Sequence, residues 1–124
     1  MTDTNKSHPK NIVTAGNNLK DATRALIMIH GRGGNAGDII SLADHLEVNN
    51  FALLAPQANN NSWYPYSFMA PLSNNEPRLS AALSVLKEIM DDITAEGITE
   101  ENIYFLGFSQ GACLALEFVT RNAT

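Results

Sequence analysis

Three short runs of apolar residues constrain most strongly what this chain of 124 residues can fold into. They span residues 25–29, 51–55 and 103–106. Each run is too short for a helix and does not alternate apolar with polar residues, so each is expected to be a strand buried on both faces. Strands of this kind belong to parallel sheets that are covered by helices.

A segment with helical spacing of apolar residues follows each run. The first predicted helix covers 38–48 with Asp38 as its N-cap, the second runs from Pro77 to Gly97, and the third from Gln110 to about Arg121. Residues 11–15 predict one antiparallel edge strand. The expected fold is therefore an open, mostly parallel α/β sheet with helices on both faces. It would form a single domain over 1–124 that begins with a polar tail of ten residues.

The composition excludes several classes of protein. Eight Lys and Arg residues against thirteen Asp and Glu residues give a formal net charge of −5, which argues against nucleic acid or an anionic membrane as a partner. No apolar run approaches the roughly 20 residues that span a bilayer, and no signal-peptide core is present. The single cysteine, Cys113, excludes an internal disulfide. We expect a cytoplasmic protein that needs no metal or organic cofactor, with Cys113 as a buried apolar filler.

The loop after the third run carries the motif Gly107-Phe108-Ser109-Gln110-Gly111. It fits a nucleophile elbow, in which a tight turn from strand to helix gives the nucleophile a positive φ and requires small neighbours. Ser109 is thus the candidate nucleophile, and Gly107 and Gly111 are the small neighbours. The backbone amide of Gln110, at a helix N-terminus, is a candidate donor to an oxyanion. The alternative is an ordinary turn in which Ser109 caps the helix.

The loop after the first run, residues 30–37, reads H-G-R-G-G-N-A-G. One interpretation is an oxyanion loop of the H-G-x-G-G type, in which glycines let the backbone amide of Arg32 reach the same oxyanion. A second is a dinucleotide fingerprint, because residues 31–36 fit G-x-G-x-x-G/A. That fingerprint needs an acidic residue about 20 positions further on to bind the ribose, whereas residues 55–57 are Ala-Pro-Gln. The third interpretation is a plain glycine-rich turn.

Residues 62–69 concentrate aromatic side chains in a long predicted loop. Trp63, Tyr64 and Phe68 are candidates for the walls of an acyl-binding pocket, because ligand pockets are lined by apolar and aromatic side chains. The alternative is a loop that packs its own side chains against the protein surface.

Together these motifs resemble the α/β-hydrolase fold. Within it they resemble the phospholipase/carboxylesterase family, which includes acyl-protein thioesterases and dienelactone-hydrolase-like enzymes. The resemblance extends from about residue 25 to residue 124 and rests on residues 26–34, 55–57 and 107–111. A Gln directly after the nucleophile looks like this family in particular.

The resemblance implies a serine hydrolase of esters or thioesters. Ser109 would form an acyl-enzyme, and the amides of Arg32 and Gln110 would bind the oxyanion. Residues that would support the loop and the elbow are His30, Gly31, Gly33, Gly107 and Gly111. The family often has an apolar residue where Arg32 stands. Because only the backbone amide at this position is needed for the oxyanion, we expect this chain to differ from the family in substrate preference more than in the reaction.

The rest of the catalytic triad has no candidate in this chain. In the α/β-hydrolase fold the acid and the histidine follow the nucleophile. Residues 110–124 contain no histidine, and their one carboxylate, Glu117, lies on the predicted helix that leads away from the site. Of the other histidines, His8 is expected in the polar tail and His45 within a helix.

We therefore expect the chain to be the N-terminal part of a longer hydrolase domain, whose acid and base lie beyond Thr124. The part alone would be inactive, and its strand over 103–106 would lie at the sheet edge. The expected partner is a small ester or thioester substrate, and a homodimer is a further expectation. Two other functions stay open: a non-catalytic fragment that binds acyl groups or other small ligands, and a dinucleotide-binding module.

Overall fold

The structure, a computed structural model, describes residues 8, 11–46, 50–66 and 72–122. Its centre is a four-stranded sheet with the order β1-β3-β2-β4. The strands are β1 (Ile12–Gly16), β2 (Arg24–Ile29), β3 (Phe51–Pro56) and β4 (Ile103–Gly107), and the helices are α1 (Ala36–Ile40), α2 (Arg78–Ala95) and α3 (Gln110–Asn122). β2 is parallel to both β3 and β4, and β1 is antiparallel to β3. The predicted open, mostly parallel α/β sheet is confirmed.

Helices cover both faces of this sheet. Successive side chains of β2 point to opposite faces, and they enter two separate apolar clusters. Ile27 and Ile29 pack with residues of α2 and α3, whereas Leu26 and Met28 pack with Ile39 of α1. β2 is therefore covered on both sides, as its continuous apolar sequence predicts.

The helix that follows β2 is shorter than its apolar spacing predicts. α1 gives way to a 3-10 helix at Ser41–His45, in which three residues make a turn and side chains leave the face expected for an α-helix. Leu42 is accordingly 43% exposed instead of buried. The N-cap is Asn35, not Asp38: the Asn35 side chain accepts a hydrogen bond from the Asp38 amide at 2.8 Å and donates to the Asp38 carboxylate at 3.0 Å.

The other two helices agree better with the prediction. α2 has Pro77 as its N-cap and is followed by Gly97 with a φ of +99°. α3 has its predicted bounds within one residue. Its outer face is exposed, since Leu116 on that face is 69% exposed. Tyr104 of β4 is also exposed, because β4 lies at the sheet edge. None of the helices in the described ranges has both the length and the apolar character to cross a membrane.

The start of α3 lies directly against the end of β2. A Cβ atom added at Gly111 would lie 2.1 Å from the carbonyl oxygen of Ile29 and 2.5 Å from that of His30. Both neighbours are backbone atoms, which cannot turn aside as a flexible side chain does. Only glycine allows this approach of helix to strand.

His8 is buried, which corrects the expectation that it lies in a polar tail. Its side chain is 7% exposed and its ring lies 5.2 Å from the ring of Trp63. Nε2 donates to the Trp63 carbonyl at 2.6 Å, and Nδ1 accepts from the Asn59 amide at 3.0 Å. Both ring nitrogens are thus used by hydrogen bonds that suit a neutral imidazole. Burial, which disfavours the charged form, lowers the pKa of His8 to about 4.

The close approach at Gly111 gives a first test. We expect Gly111→Ala to lower the free energy of unfolding by at least about 2 kcal/mol, because the new methyl group overlaps backbone atoms. Gly37→Ala in α1 is the matched control: its Cβ would meet only the Asn35 side chain, at 3.4 Å, and alanine is the better helix former. Urea unfolding of the purified protein measures both. Equal stability of the Gly111 variant and the wild type would contradict this packing.

The burial of His8 predicts a pH dependence of stability. The imidazole of His8 has a pKa near 6.5 in the unfolded chain, so it binds a proton more readily there than in the folded protein. The contribution of His8 to stability is therefore fully present above about pH 6.5 and is lost as the pH falls toward 4. The limit of this loss is about 3 kcal/mol. His8→Gln should make the profile less steep in that window, where buried His30 still contributes, and His45→Gln, at an exposed position, is the control. An unchanged profile in the His8 variant would contradict the burial.

Candidate active site

Ser109 occupies a strained turn between β4 and α3. Its φ is +56°, a left-handed conformation that non-glycine residues rarely adopt and that is common at functional sites. The turn is tight, since a Cβ at Gly107 would lie 2.5 Å from the Cα of Ala112. The Ser109 side chain is exposed. These are the geometric features of a nucleophile elbow.

The glycine-rich loop after β2 touches this turn. Because β2 and β4 are parallel with Ile29 opposite Gly107, the chain leaves both strands at the same edge of the sheet. A Cβ at Gly31 would lie 3.2 Å from the Cβ of Ser109 and 2.9 Å from the carbonyl oxygen of Phe108. The structure thus brings together the two loops that the sequence singled out.

Two backbone amides beside Ser109 have no protein acceptor among the described residues. They belong to Arg32, which follows Gly31, and to Gln110, the first residue of α3. The next amide in the first loop, that of Gly33, is already bonded to the Asn61 carbonyl at 2.7 Å. The two predicted oxyanion donors are therefore available to a ligand.

His30 braces the first loop. It is 2% exposed; Nδ1 donates to the Gly31 carbonyl at 2.8 Å and Nε2 accepts from the Ala58 amide at 3.0 Å. Its ring stacks on Trp63 at 5.0 Å, and the Trp63 indole donates to the His30 carbonyl at 2.9 Å. Burial lowers the pKa of His30, and with both nitrogens occupied the imidazole has none left to act as a base.

The Arg32 side chain bonds to the aromatic loop, a contact that the sequence did not predict. Its guanidinium donates to three successive carbonyls, those of Tyr64 at 3.1 Å, Pro65 at 2.9 Å and Tyr66 at 3.2 Å. The planar fork of five N–H groups in arginine suits such multiple bonding. The acceptors of Arg32 are backbone carbonyls, which every residue carries, so the sequence does not identify them. Its only signal for this contact was a single arginine within a glycine-rich loop.

The Gln110 side chain bonds to the same loop. Its Oε1 accepts from the Trp63 amide at 2.8 Å and its Nε2 donates to the Tyr64 carbonyl at 2.8 Å. Gln110 is 7% exposed, so these bonds are shielded from water. The sequence had indicated a role only for the backbone amide of Gln110, not for its side chain.

The three aromatic residues that were predicted to bind substrate differ in placement. Trp63 is fully buried, so its ring supports the loop and has no surface to offer a ligand. Tyr64 lines a groove of about 400 Å³ together with Cys113 and Leu116, and burial raises the pKa of its phenol to about 12. Phe68 lies outside the described residues. Cys113 is half-buried, not fully buried as expected.

A second cavity lies beside the first loop. Its volume is about 230 Å³, and its lining is largely apolar. The residues that line it are His30, Gly31, Gly34, Asn35, Asp38, Ile39, Leu42 and Phe108. Since Phe108 directly precedes Ser109, this cavity opens close to the elbow.

The dinucleotide interpretation is not favoured. A pyrophosphate would need free amides at the N-terminus of α1. The Ala36 amide is instead bonded to the Gln57 side chain at 2.8 Å, and the Asp38 amide to the Asn35 side chain. Gln57, at the position where a fingerprint requires an acid, therefore occupies an amide that a phosphate would need.

A base for Ser109 is not present among the described residues, where no hydrogen bond joins its hydroxyl to a histidine. His45 is exposed on the 3-10 helix, and Glu117 pairs with Arg121 at 2.8 Å. The described residues also contain no group of three or more His, Cys, Asp or Glu side chains that could hold a metal ion.

Comparisons with known proteins show the family and the fold of this chain. A family model described as phospholipase/carboxylesterase matches residues 10–123. A crystal structure of a phospholipase/carboxylesterase from Dyadobacter fermentans DSM 18053 has a TM-score of 0.93 and 55% identity, over 95% of this chain and 56% of that one. None of the curated proteins matches the chain.

A more distant structure, that of esterase PE8, has a TM-score of 0.68 at 22% identity, over 90% of this chain and 56% of that one, and shows a similar fold. The chain thus spans a little over half the length of each of these two solved structures. Because the family model covers nearly all of the sequence, the chain belongs to the phospholipase/carboxylesterase family.

Proposed function

We propose that the protein containing this chain is a serine hydrolase of carboxylic esters or thioesters, and that it reacts through an acyl-enzyme on Ser109. The observation that carries the proposal is the left-handed φ of Ser109 in a turn so tight that Gly107 and Gly111 contact backbone atoms. Such strain is retained where it holds a reactive group in place. Family membership supports hydrolase chemistry of this kind.

In the proposed reaction, the Ser109 oxygen attacks the carbonyl carbon of the ester while a base takes its proton. The carbonyl oxygen becomes an oxyanion, and the free amides of Arg32 and Gln110 donate to it. Collapse of this intermediate breaks the bond to the alcohol or thiol, which leaves with the proton from the base. Water then attacks the acyl carbon while the base takes its proton, and collapse of this second intermediate breaks the bond to the Ser109 oxygen. Ser109 regains the proton from the base, and the carboxylic acid is released.

The base of this reaction is proposed to lie beyond Thr124. His8 and His30 use both ring nitrogens in hydrogen bonds, and no histidine follows Ser109 in the sequence. In this fold the acid and the histidine come after the nucleophile. The solved relative from Dyadobacter fermentans has a chain long enough to hold such residues, since this chain covers 56% of it.

The substrate is proposed to place a small apolar group in the cavity beside Ser109. With a volume of about 230 Å³ and walls that include Leu42 and Phe108, this cavity suits a short acyl or leaving group better than a fatty chain. The groove beside Tyr64 is the larger alternative.

Replacing the nucleophile tests this proposal directly. We expect Ser109→Ala to lower kcat for p-nitrophenyl esters by at least about 10³-fold in the full-length protein, because no other group can form the acyl-enzyme. Ser84→Ala, at an exposed position of α2, is the matched control and should keep the wild-type rate. Hydrolysis that survives in the Ser109 variant would refute the serine mechanism, and a full-length wild type without any hydrolysis would favour a non-catalytic binding role.

A further inference from the structure

We propose that the side chains of Arg32 and Gln110 are positioning groups that hold the two oxyanion-binding amides at a fixed separation. They do so through a shared hydrogen-bond acceptor, the carbonyl oxygen of Tyr64. This inference rests on the proposed function, since it concerns how the same site binds an oxyanion.

The shared acceptor is the central observation. The Tyr64 carbonyl oxygen lies 2.8 Å from Nε2 of Gln110 and 3.1 Å from a guanidinium nitrogen of Arg32, and it also accepts from the Ser62 hydroxyl at 2.9 Å. Arg32 belongs to the loop after β2, and Gln110 to the first turn after β4. One backbone oxygen therefore links the two loops that supply the amides.

The bonds around this oxygen restrict its movement. Arg32 also binds the next two carbonyls of the loop, and Gln110 also accepts from the Trp63 amide. Arg78 of α2 donates to the carbonyls of Asn59 and Ser62. The segment from residue 59 to residue 66 is thereby fixed to three separate elements, and it forms a rigid support for both side chains.

The first loop needs such a support because of its glycines. Gly33 has a φ of +79°, and a Cβ added to it would meet nothing within 4 Å, so no neighbouring atoms pack against Gly33 on that side. Glycine loses the most conformational freedom when it is ordered. The guanidinium of Arg32 and the bond from the Gly33 amide to Asn61 at 2.7 Å hold the middle of the loop to the 59–66 segment. The bond from the Trp63 indole to the His30 carbonyl holds its start.

Accurate placement matters because an oxyanion hole works by preorganisation. Donors must lie about 2.7–3.1 Å from the position that the oxyanion will occupy, and loss of one donor lowers kcat by about 10²–10³-fold. A loop that is free to move would lose conformational entropy in each turnover when its amide binds the oxyanion, and this loss would raise the barrier. Removing the Arg32 side chain leaves its amide in the chain but releases the loop, so it should act on the transition state more than on substrate binding.

The test uses Arg32→Met, which keeps the length and apolar character of the stem, and Arg32→Lys, which keeps the charge but lacks the planar fork. Arg121→Met is the matched control, because that arginine is exposed and pairs with Glu117 on α3. Circular dichroism of each full-length variant first establishes that it is folded. We expect kcat for p-nitrophenyl acetate to fall about 10-fold or more in Arg32→Met, less in Arg32→Lys, with KM nearly unchanged.

A thionoester substrate separates positioning from a merely structural role. Its C=S group is longer than C=O and its sulfur is a weaker hydrogen-bond acceptor, so a well-formed oxyanion hole discriminates against it. We expect the ratio of kcat for the oxoester to kcat for the thionoester to be large in the wild type. The ratio should fall in Arg32→Met and stay at the wild-type value in Arg121→Met.

Two results would overturn the inference. The first is a kcat and an oxo-to-thiono ratio in Arg32→Met that equal those of the wild type. The second is an equal fall of kcat for the oxoester and for the thionoester, which would mean that Arg32 only stabilises the fold. Failure of the proposed function itself would show separately, as hydrolysis that survives in Ser109→Ala.

Discussion

The parallel pairing of β2 with β4 is the interaction on which the candidate site depends. Its register sets Ile29 opposite Gly107, so the chain leaves both strands at one edge of the sheet, where ligands of open α/β sheets bind. The two loops that follow then meet at contact distance, with Gly31 against Ser109 and Gly111 against the carbonyl of Ile29. Glycine at both positions is what allows two backbones to approach so closely.

The parts of the structure that follow from local patterns could be predicted from the sequence. The three apolar runs became β2, β3 and β4, and the spacing of glycines around Ser109 placed a strained turn between β4 and α3. What could not be predicted depends on long-range bonds to backbone atoms. The carbonyls that bind Arg32 and the amide that binds His8 carry no sequence signature. The change from α1 to a 3-10 helix likewise depends on packing, not on apolar spacing.

The aromatic loop supports the site and does not only flank it. Trp63 is fully buried, with the imidazoles of His30 and His8 beside its ring at 5.0 Å and 5.2 Å. Burial lowers the pKa of both imidazoles, which favours the neutral form, and a neutral ring can donate one hydrogen bond and accept another. The same segment accepts the bonds of Arg32 and Gln110. This loop stands out in the sequence for its aromatic side chains, but its contacts with Arg32 and Gln110 are made mainly by its backbone carbonyl oxygens.

The mass of the covalent intermediate tests the role of Ser109 as nucleophile most directly. The full-length protein is mixed with p-nitrophenyl acetate, quenched in acid within the first turnovers, digested and analysed by peptide mass spectrometry. We expect one acetyl group on the peptide that contains Ser109 and its loss after longer incubation with water. An acetyl group on a different residue, or steady turnover without any covalent adduct, would contradict it.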